Sequence, residues 1–339
     1  MLNKPTSCYG AQRGAALVVA MLIVAMVTVM AVSLASEFLL TLRRSGNALL
    51  GEQSYAYLRG GEILAVKALI EDQQRSDDDQ GQRDDMSEFW AQELPPYELD
   101  DGWLLGRVSD LQGRFNLNSL ANRANTEQQG LVYTAEQRQF IRLLQTFTEP
   151  QLSQDQAKTI TQSVMDWLDA DTDANYFGAE DDHYFDTAPS YRAGNRLFSS
   201  ISELRAVANV DQLIYEALAP HVMVWGGADL KLNIHTASEN VLRSLGAKED
   251  LSPLNEPDLE SLLSSREDSG FADLESFKEL PVFADRDMTE QWASLVETTD
   301  YFLFTAEAEV AERRVRLYSV LHRDNSQVTA LARSYIQPW

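Results

Sequence analysis

The chain has 339 residues, 44% of them hydrophobic, and its 28 Lys and Arg against 52 Asp and Glu leave a formal net charge of −24. That apolar content excludes a chain disordered throughout, and the length allows about two folded units. The charge repels nucleic-acid phosphates and anionic lipid headgroups, and it favours divalent cations or basic partners.

The single cysteine, Cys8, precedes the first apolar run, so the chain beyond it has no thiol and gains nothing from an oxidising compartment. From Ala15 to Ala35 the sequence reads AALVVAMLIVAMVTVMAVSLA, with no charge before Glu37. A helix rising about 1.5 Å per residue crosses the roughly 30 Å hydrocarbon core of a bilayer with such a run. A buried core helix would show a polar face. A cleaved signal peptide would be shorter, and Ser33–Leu34–Ala35–Ser36 only weakly imitates its cleavage site. The segment therefore reads as a retained anchor.

On the near side of the run stand Gln12–Arg13–Gly14, followed at once by Ala15. A basic residue, a glycine and a continuous apolar helix resemble the processing site of type IV prepilins and type II secretion pseudopilins. The resemblance implies cleavage by a membrane aspartyl peptidase between Gly14 and Ala15, with methylation of the new amino terminus. Most members carry glutamate at the fifth mature position, where it pairs with the amino terminus of a neighbouring subunit; here that position is Val19. Charge in hydrocarbon is costly, so its absence removes a registration device. Among pseudopilins the long K-type minor component lacks it, which implies a subunit at the filament tip.

Helix-compatible spacing continues from Glu37 to Ile70 through Phe38, Leu42, Leu49, Tyr55, Leu58, Ile63 and Leu64, although Gly46, Gly51, Gly60 and Gly61 weaken it. Positive charges do not decide orientation, since Lys4 and Arg13 flank one end of the apolar run and Arg43 and Arg44 the other. Residues Asp72 to Glu88 read as an acidic loop. Trp103–Asp110 and Arg114–Asn118 read as two strands around a Leu111–Gln112–Gly113 turn. Helical spacing follows from Thr134 to Phe147, at Ile160, Val164 and Leu168, and from Ile201 to Leu218; no strand is expected between Ala124 and Trp225. After Tyr301 the period changes to two, with turns expected at Glu312–Arg313 and Asp324–Asn325–Ser326, an antiparallel meander with one wet face.

The expected class is α+β: a pilin-like long amino-terminal helix packed on an antiparallel sheet, with a large inserted all-α domain. Strands near Trp103 and Tyr301 share that sheet. The expected divisions are a leader at 1–14, a transmembrane and assembly helix at 15–36, and the pilin-like helix and first strands at 37–123. An inserted helical domain follows at 124–225, a second helical unit at 226–300, and the carboxy-terminal strands at 301–339.

The densest chemistry runs from Asp166 to Tyr184. Asp169, Asp171 and Asp173, with Glu180 eleven residues after the first and Asp181 beside it, match several oxygen-ligand positions of a calcium loop. Carboxylates crowded this closely repel one another without a cation. Ala174 stands where an EF-hand loop has glycine, and glycine comes only at Gly178. The DW-x-D-x-D and GAED-x-x-Y arrangement resembles the calcium-binding stretch of K-type pseudopilins, which implies a structural Ca²⁺. Zinc fits less well, with His183 the only nitrogen ligand nearby and no thiol. No nucleophile accompanies the carboxylates, so an enzyme is not expected.

Leu232–Asn233–Ile234–His235–Thr236–Ala237–Ser238, before a helix at Glu239–Leu245, resembles the entry of DNA-binding helix-hairpin-helix modules, and a membrane-anchored DNA-uptake receptor is the alternative reading. Its first hairpin, Gly246–Ala247–Lys248–Glu249–Asp250, lies among carboxylates, and the phosphate term that dominates DNA affinity opposes it. The expected use is structural, with Thr236 capping the helix and Asn233 bracing the turn. The resemblance as a whole implies a minor pseudopilin that initiates or caps a short pseudopilus with I-, J- and H-type partners. It implies a single pass through the inner membrane, with the amino terminus cytoplasmic and the bulk periplasmic.

Overall fold

A computed structural model describes residues 13–78, 83–122, 133–267, 269–324 and 327–336. Cys8 and residues 1–12 of the expected leader lie outside them. The elements begin with α1 (Arg13–Asp78), β1 (Tyr97–Leu99), β2 (Gly102–Asp110), β3 (Phe115–Asn116), α2 (Ala135–Leu144), α3 (Gln154–Leu168), α4 (Asp181–Phe185) and α5 (Gln212–Leu218). They continue with β4 (Val222–Met223), β5 (Leu232–Asn233), α6 (Glu239–Arg243), α7 (Glu256–Ser264), α8 (Leu274–Lys278) and α9 (Thr289–Trp292). The chain closes with β6 (Leu295–Val296), β7 (Tyr301–Val310), β8 (Arg313–Asp324) and β9 (Gln327–Ser334).

The chain divides into two compact units, residues 1–56 and 57–339. In the first, the large apolar side chains of α1 from Leu17 to Leu42 are exposed. Among the described residues α1 is the one helix long and apolar enough to cross a membrane. A helix apolar on every side needs lipid or other such helices around it.

In the second unit the remainder of α1 lies on an antiparallel sheet of order β1-β2-β7-β8-β9. Leu58, Ala65 and Leu69 recur on one face and pack with Val108, Phe302, Phe304, Leu317 and Leu321, while Ile63 and Leu64 face outward. Gly61, read as a weakness, serves the contact: a β-carbon there would stand 3.3 Å from Phe304 Cζ, so glycine lets the helix approach the sheet. Beside it, buried Glu62 accepts from Arg333 Nε at 2.8 Å and from Ser319 Oγ at 2.6 Å. The expected loop from Asp72 is helical as far as Asp78. Composition hides the reason, which is tertiary: Asp72 pairs with Arg323 of β8 at 3.4 Å.

Strand β2 pairs with β7 from Gly102 opposite Val310 to Asp110 opposite Phe302, so the two regions expected to share a sheet do so. The β7–β8 hairpin turns through Ala311 and Glu312, both at positive φ (48° and 64°), as the twist of a two-residue hairpin demands. The expected hairpin around Leu111–Gly113 is not formed. Only Phe115–Asn116 of its second arm is extended, and it pairs in parallel with β4, inside the stretch read as free of strands. Two-residue strands carry no period to read. Asn116 then turns the chain by accepting from Asn118 N at 3.1 Å.

The helices that follow, across both expected helical stretches, bury one continuous core, with Phe140, Val164, Leu204, Leu242, Leu262 and Phe277 among its members. Arg142 ties the halves together. Fully buried on α2, it donates to Ser244 O at 2.6 Å, Asp250 O at 2.7 Å and Gln291 Oε1 at 3.0 Å. Where this region leaves the sheet, buried Asp110 accepts from Thr299 Oγ1 at 2.6 Å, Asn233 Nδ2 at 3.0 Å and the Thr236 hydroxyl. Asn233 braces the turn as expected, its Oδ1 accepting from His235 N at 3.0 Å. Thr236 is not the cap; Ser238 holds that position, and the Thr236 hydroxyl is committed to Asp110, a partner remote in sequence.

Candidate metal centre

Helix α3 delivers the site. Ser153 and Gln156 form a capping box at its start, and its buried face carries Ile160, Val164, Trp167 and Leu168. Asp169 is its carboxy-terminal cap in extended conformation, so the chain leaves the helix there. Two short turns follow: Asp171 N donates to Asp169 Oδ1 at 3.3 Å and Asp173 N to Asp171 Oδ1 at 3.1 Å. Asp166, fully buried one turn before Asp169, pulls the loop back by accepting from Asn175 N at 3.1 Å and from the Asn175 amide. Gly178 passes over that carboxylate so closely that a β-carbon would stand 2.7 Å from Asp166 Cγ. The loop closes at Glu180, which precedes α4 without capping it.

This path gathers Asp169, Asp171 and Glu180, each with a carboxylate oxygen within 4.8 Å of the other two. The expected ligands Asp173 and Asp181 are not in that group. Asp173 is exposed, and Asp181 Oδ1 accepts from Ala193 N at 3.0 Å, which turns it toward the following loop. Glu180 is only 5% exposed, and neither of its oxygens receives a hydrogen bond. Burial, then the charges of Asp166 and Asp169 and more weakly Asp171, push its pKa up to about 7 against the pull of the neighbouring Asp181 N–H, which is not in hydrogen-bonding geometry with either oxygen. Asp166 is pushed up to about 6 by burial, against the bonds from Asn175. Buried carboxylate oxygens with no donor are costly, and a hard divalent cation that takes about six to eight oxygens is the partner they fit.

A second acidic group makes the contrast. Asp72, Asp84 and Glu88 also converge, but Arg323 donates to Asp84 and pairs with Asp72, so a guanidinium already fills the cationic role. Sequence reading missed two residues of the first site. Asp166 carried a signal, an acid one helical turn before Asp169 and twelve residues before a glycine. Asn195, whose Nδ2 donates to Asp171 O at 3.2 Å, carried none. The helix-hairpin-helix-like segment offers no comparable site. Its hairpin carbonyls at Ala247 and Asp250 accept from Arg142, and Lys248 pairs with Glu290 at 2.7 Å.

A membrane-length apolar helix continuing onto an antiparallel sheet, with a helical insertion bearing an acidic loop, defines a pilin-like subunit of elaborated form. The family described as type II secretion system (T2SS), protein K, matches residues 113–227. Type II secretion system protein K of Pseudomonas aeruginosa is 32% identical over 327 residues, 95% of this chain and 92% of that protein. Its counterpart in Aeromonas hydrophila is 31% identical, with 94% and 95% covered. A chain of the crystal structure of the GspK-GspI-GspJ complex from enterotoxigenic Escherichia coli superposes with a TM-score of 0.73 at 23% identity, covering 87% of this chain and 99% of that one. The chain belongs to the type II secretion system protein K family.

Proposed function

We propose that the protein is a minor pseudopilin at the tip of the type II secretion pseudopilus, assembling with I-, J- and H-type minor pseudopilins to start or cap the filament. The role is structural and involves no turnover. The observation that carries the reading is family membership over nearly the whole chain combined with α1. Val19, the fifth residue counting Ala15 as the first, is 56% exposed and uncharged on a helix of exposed apolar side chains. A helix without a charge there has no means of registering against the amino terminus of a subunit above it, and it belongs where no subunit lies above.

Under this reading, prepilin peptidase cuts between Gly14 and Ala15 and the new amino terminus is methylated. Before assembly the helix resides in the inner membrane with its start facing the cytoplasm and the rest of the chain in the periplasm. Asp169, Asp171 and Glu180 hold a structural Ca²⁺, supported by the two undonated oxygens of Glu180. Co-purification from membranes tests the assembly role. The expected result is recovery of I- and J-type pseudopilins with this chain and their loss when Val19 is replaced by Glu. Recovery of the chain alone would overturn the reading.

A further inference from the structure

The metal loop carries at its turn a feature that cation binding does not use. Tyr176 is 85% exposed and Phe177 50% exposed, yet their rings meet edge to face with centroids 4.5 Å apart. Burying aromatic surface is favourable, so two adjacent rings left in water are a standing source of binding energy. Their backbone is held. Phe177 N donates to Gln162 Oε1 at 2.8 Å, Gly178 N donates to Asn175 O at 2.9 Å, and Asn175 is fixed by Asp166. The pair lies in sequence between Asp171 and Glu180, so a cation bridging those residues closes the loop that bears the rings.

The segment that bears the rings is strongly acidic, with Lys158 and Arg192 standing only at its two ends. Residues 159–191 include eight Asp and Glu and no Lys or Arg, so a single divalent cation leaves most of that charge unbalanced. An aromatic face among carboxylates favours a guanidinium, which stacks on the ring and pairs bidentately with acids at its edge. The chain shows the same chemistry on its own account: the Arg192 guanidinium lies 5.4 Å from the ring centroid of Phe185, in α4 of the same acidic stretch. An anionic membrane surface is excluded by the same charge.

We infer that Tyr176 and Phe177 form a cation-organised docking knuckle for an arginine-bearing segment of a partner protein. The guanidinium lies against the exposed rings, and the neighbouring carboxylates balance its charge. The inference rests on the Ca²⁺ reading of Asp169, Asp171 and Glu180 for the rigidity of the loop.

The test uses the full-length chain in detergent and a labelled peptide, acetyl-Gly-Ser-Arg-Gly-Ser-Arg-Gly-Ser-amide, titrated by fluorescence anisotropy at low salt with calcium or with EDTA. Saturable binding in calcium is expected, weakened about five-fold or more by EDTA and by the double substitution Tyr176→Ala with Phe177→Ala. The double variant should keep the calcium-induced rise in Tm, which shows that its cation site is intact. Equal affinity for the wild type and the double variant would overturn the knuckle, as would ring-dependent binding to phosphatidylcholine vesicles in place of the peptide. A calcium-induced rise in Tm without ring-dependent peptide binding overturns the docking surface alone. Ring-dependent binding without any calcium effect on Tm overturns the cation reading and leaves the surface standing.

Discussion

Gly178 gives up its side chain to Asp166: a β-carbon on the glycine would overlap the carboxylate, which is occupied in fixing Asn175. The loop therefore has a fixed floor, and the spacing from Asp169 to Glu180 is set by contact. Gly178→Ala should push the carboxylate off Asn175, cost about 1–3 kcal/mol, and remove any calcium-induced rise in Tm. Thermal unfolding with calcium and with EDTA checks both effects. An unchanged calcium response would show that the loop does not depend on this contact.

Glu180 separates a cation site from a solvated acidic loop. Its folded pKa, raised to about 7, exceeds the ordinary carboxylate value, so above that pH the metal-free fold bears the cost of an ionised, undonated carboxylate. Glu180→Gln should therefore raise the EDTA-state stability at pH 8 by roughly 1–3 kcal/mol and eliminate the calcium response. Asp171→Ala should eliminate the response as well. A variant that loses stability in EDTA and still responds to calcium would contradict the assignment.

Glu62 and Arg333 fasten the last strand to α1 by bonds of 2.8 and 2.9 Å. Burial alone would raise the Glu62 pKa, but bonds from Arg333 and Ser319 and the charges of Arg333 and Arg59 hold it below the ordinary value of 4.5. A depressed carboxylate contributes stability that is present above its unfolded pKa and is lost as pH falls through the folded one. Glu62→Gln should cost about 2–4 kcal/mol near pH 7. The gap between variant and wild type should narrow as pH drops below about 4. Denaturant titrations across that range measure it.

Arg142 is a buried cation that donates to the backbone carbonyls of Ser244 at 2.6 Å, Asp250 at 2.7 Å and Ala247 at 3.3 Å and to the Gln291 amide oxygen, and burial pushes its pKa down to about 9. Arg142→Met fills a similar volume but leaves those acceptors without donors, so a loss of about 2–4 kcal/mol is expected. Because the side chain joins both halves of the helical core, unfolding should remain one cooperative transition at a lower midpoint. Two separated transitions would show that the halves are independently stable.

For the amino terminus, the extracted protein should begin at a methylated Ala15, and replacing Gly14 by Val should leave it beginning at Met1. Intact mass and amino-terminal sequencing decide the point. A chain starting near Ser36 would indicate an ordinary cleaved signal segment.

What could be read ahead of the structure follows from how local each cause is. The apolar run, the period-two strands from Tyr301 and the convergence of Asp169, Asp171 and Glu180 are written in neighbouring residues. Thr236, Arg142 and the last turns of α1 were not legible, because their partners Asp110, Gln291 and Arg323 lie far away in sequence. Gly61 was misread for the same reason: alone it weakens a helix, and its use appears only once Phe304 stands opposite. Strand β4 was missed, and β3 was read too long and as a hairpin arm, because two residues hold no period. Asp173 and Asp181 fell away because spacing gives the reach of a chain but not the direction of a side chain.

The pairing of Asp110 with Phe302 places the two ends of the helical insertion on neighbouring strands. During synthesis β2 therefore emerges with its eventual neighbour still nearly two hundred residues from completion, and closing so long a loop directly is slow. The helices between them bury a core of their own, and once packed they bring residues 111 and 300 together and convert a remote encounter into a local one. The order of events is then inverted relative to the chain: the insertion forms first, and the sheet that appears to host it is completed last. Until then β2 is an open edge, so a lesion in the helical core is expected to appear first as misassembly of the sheet.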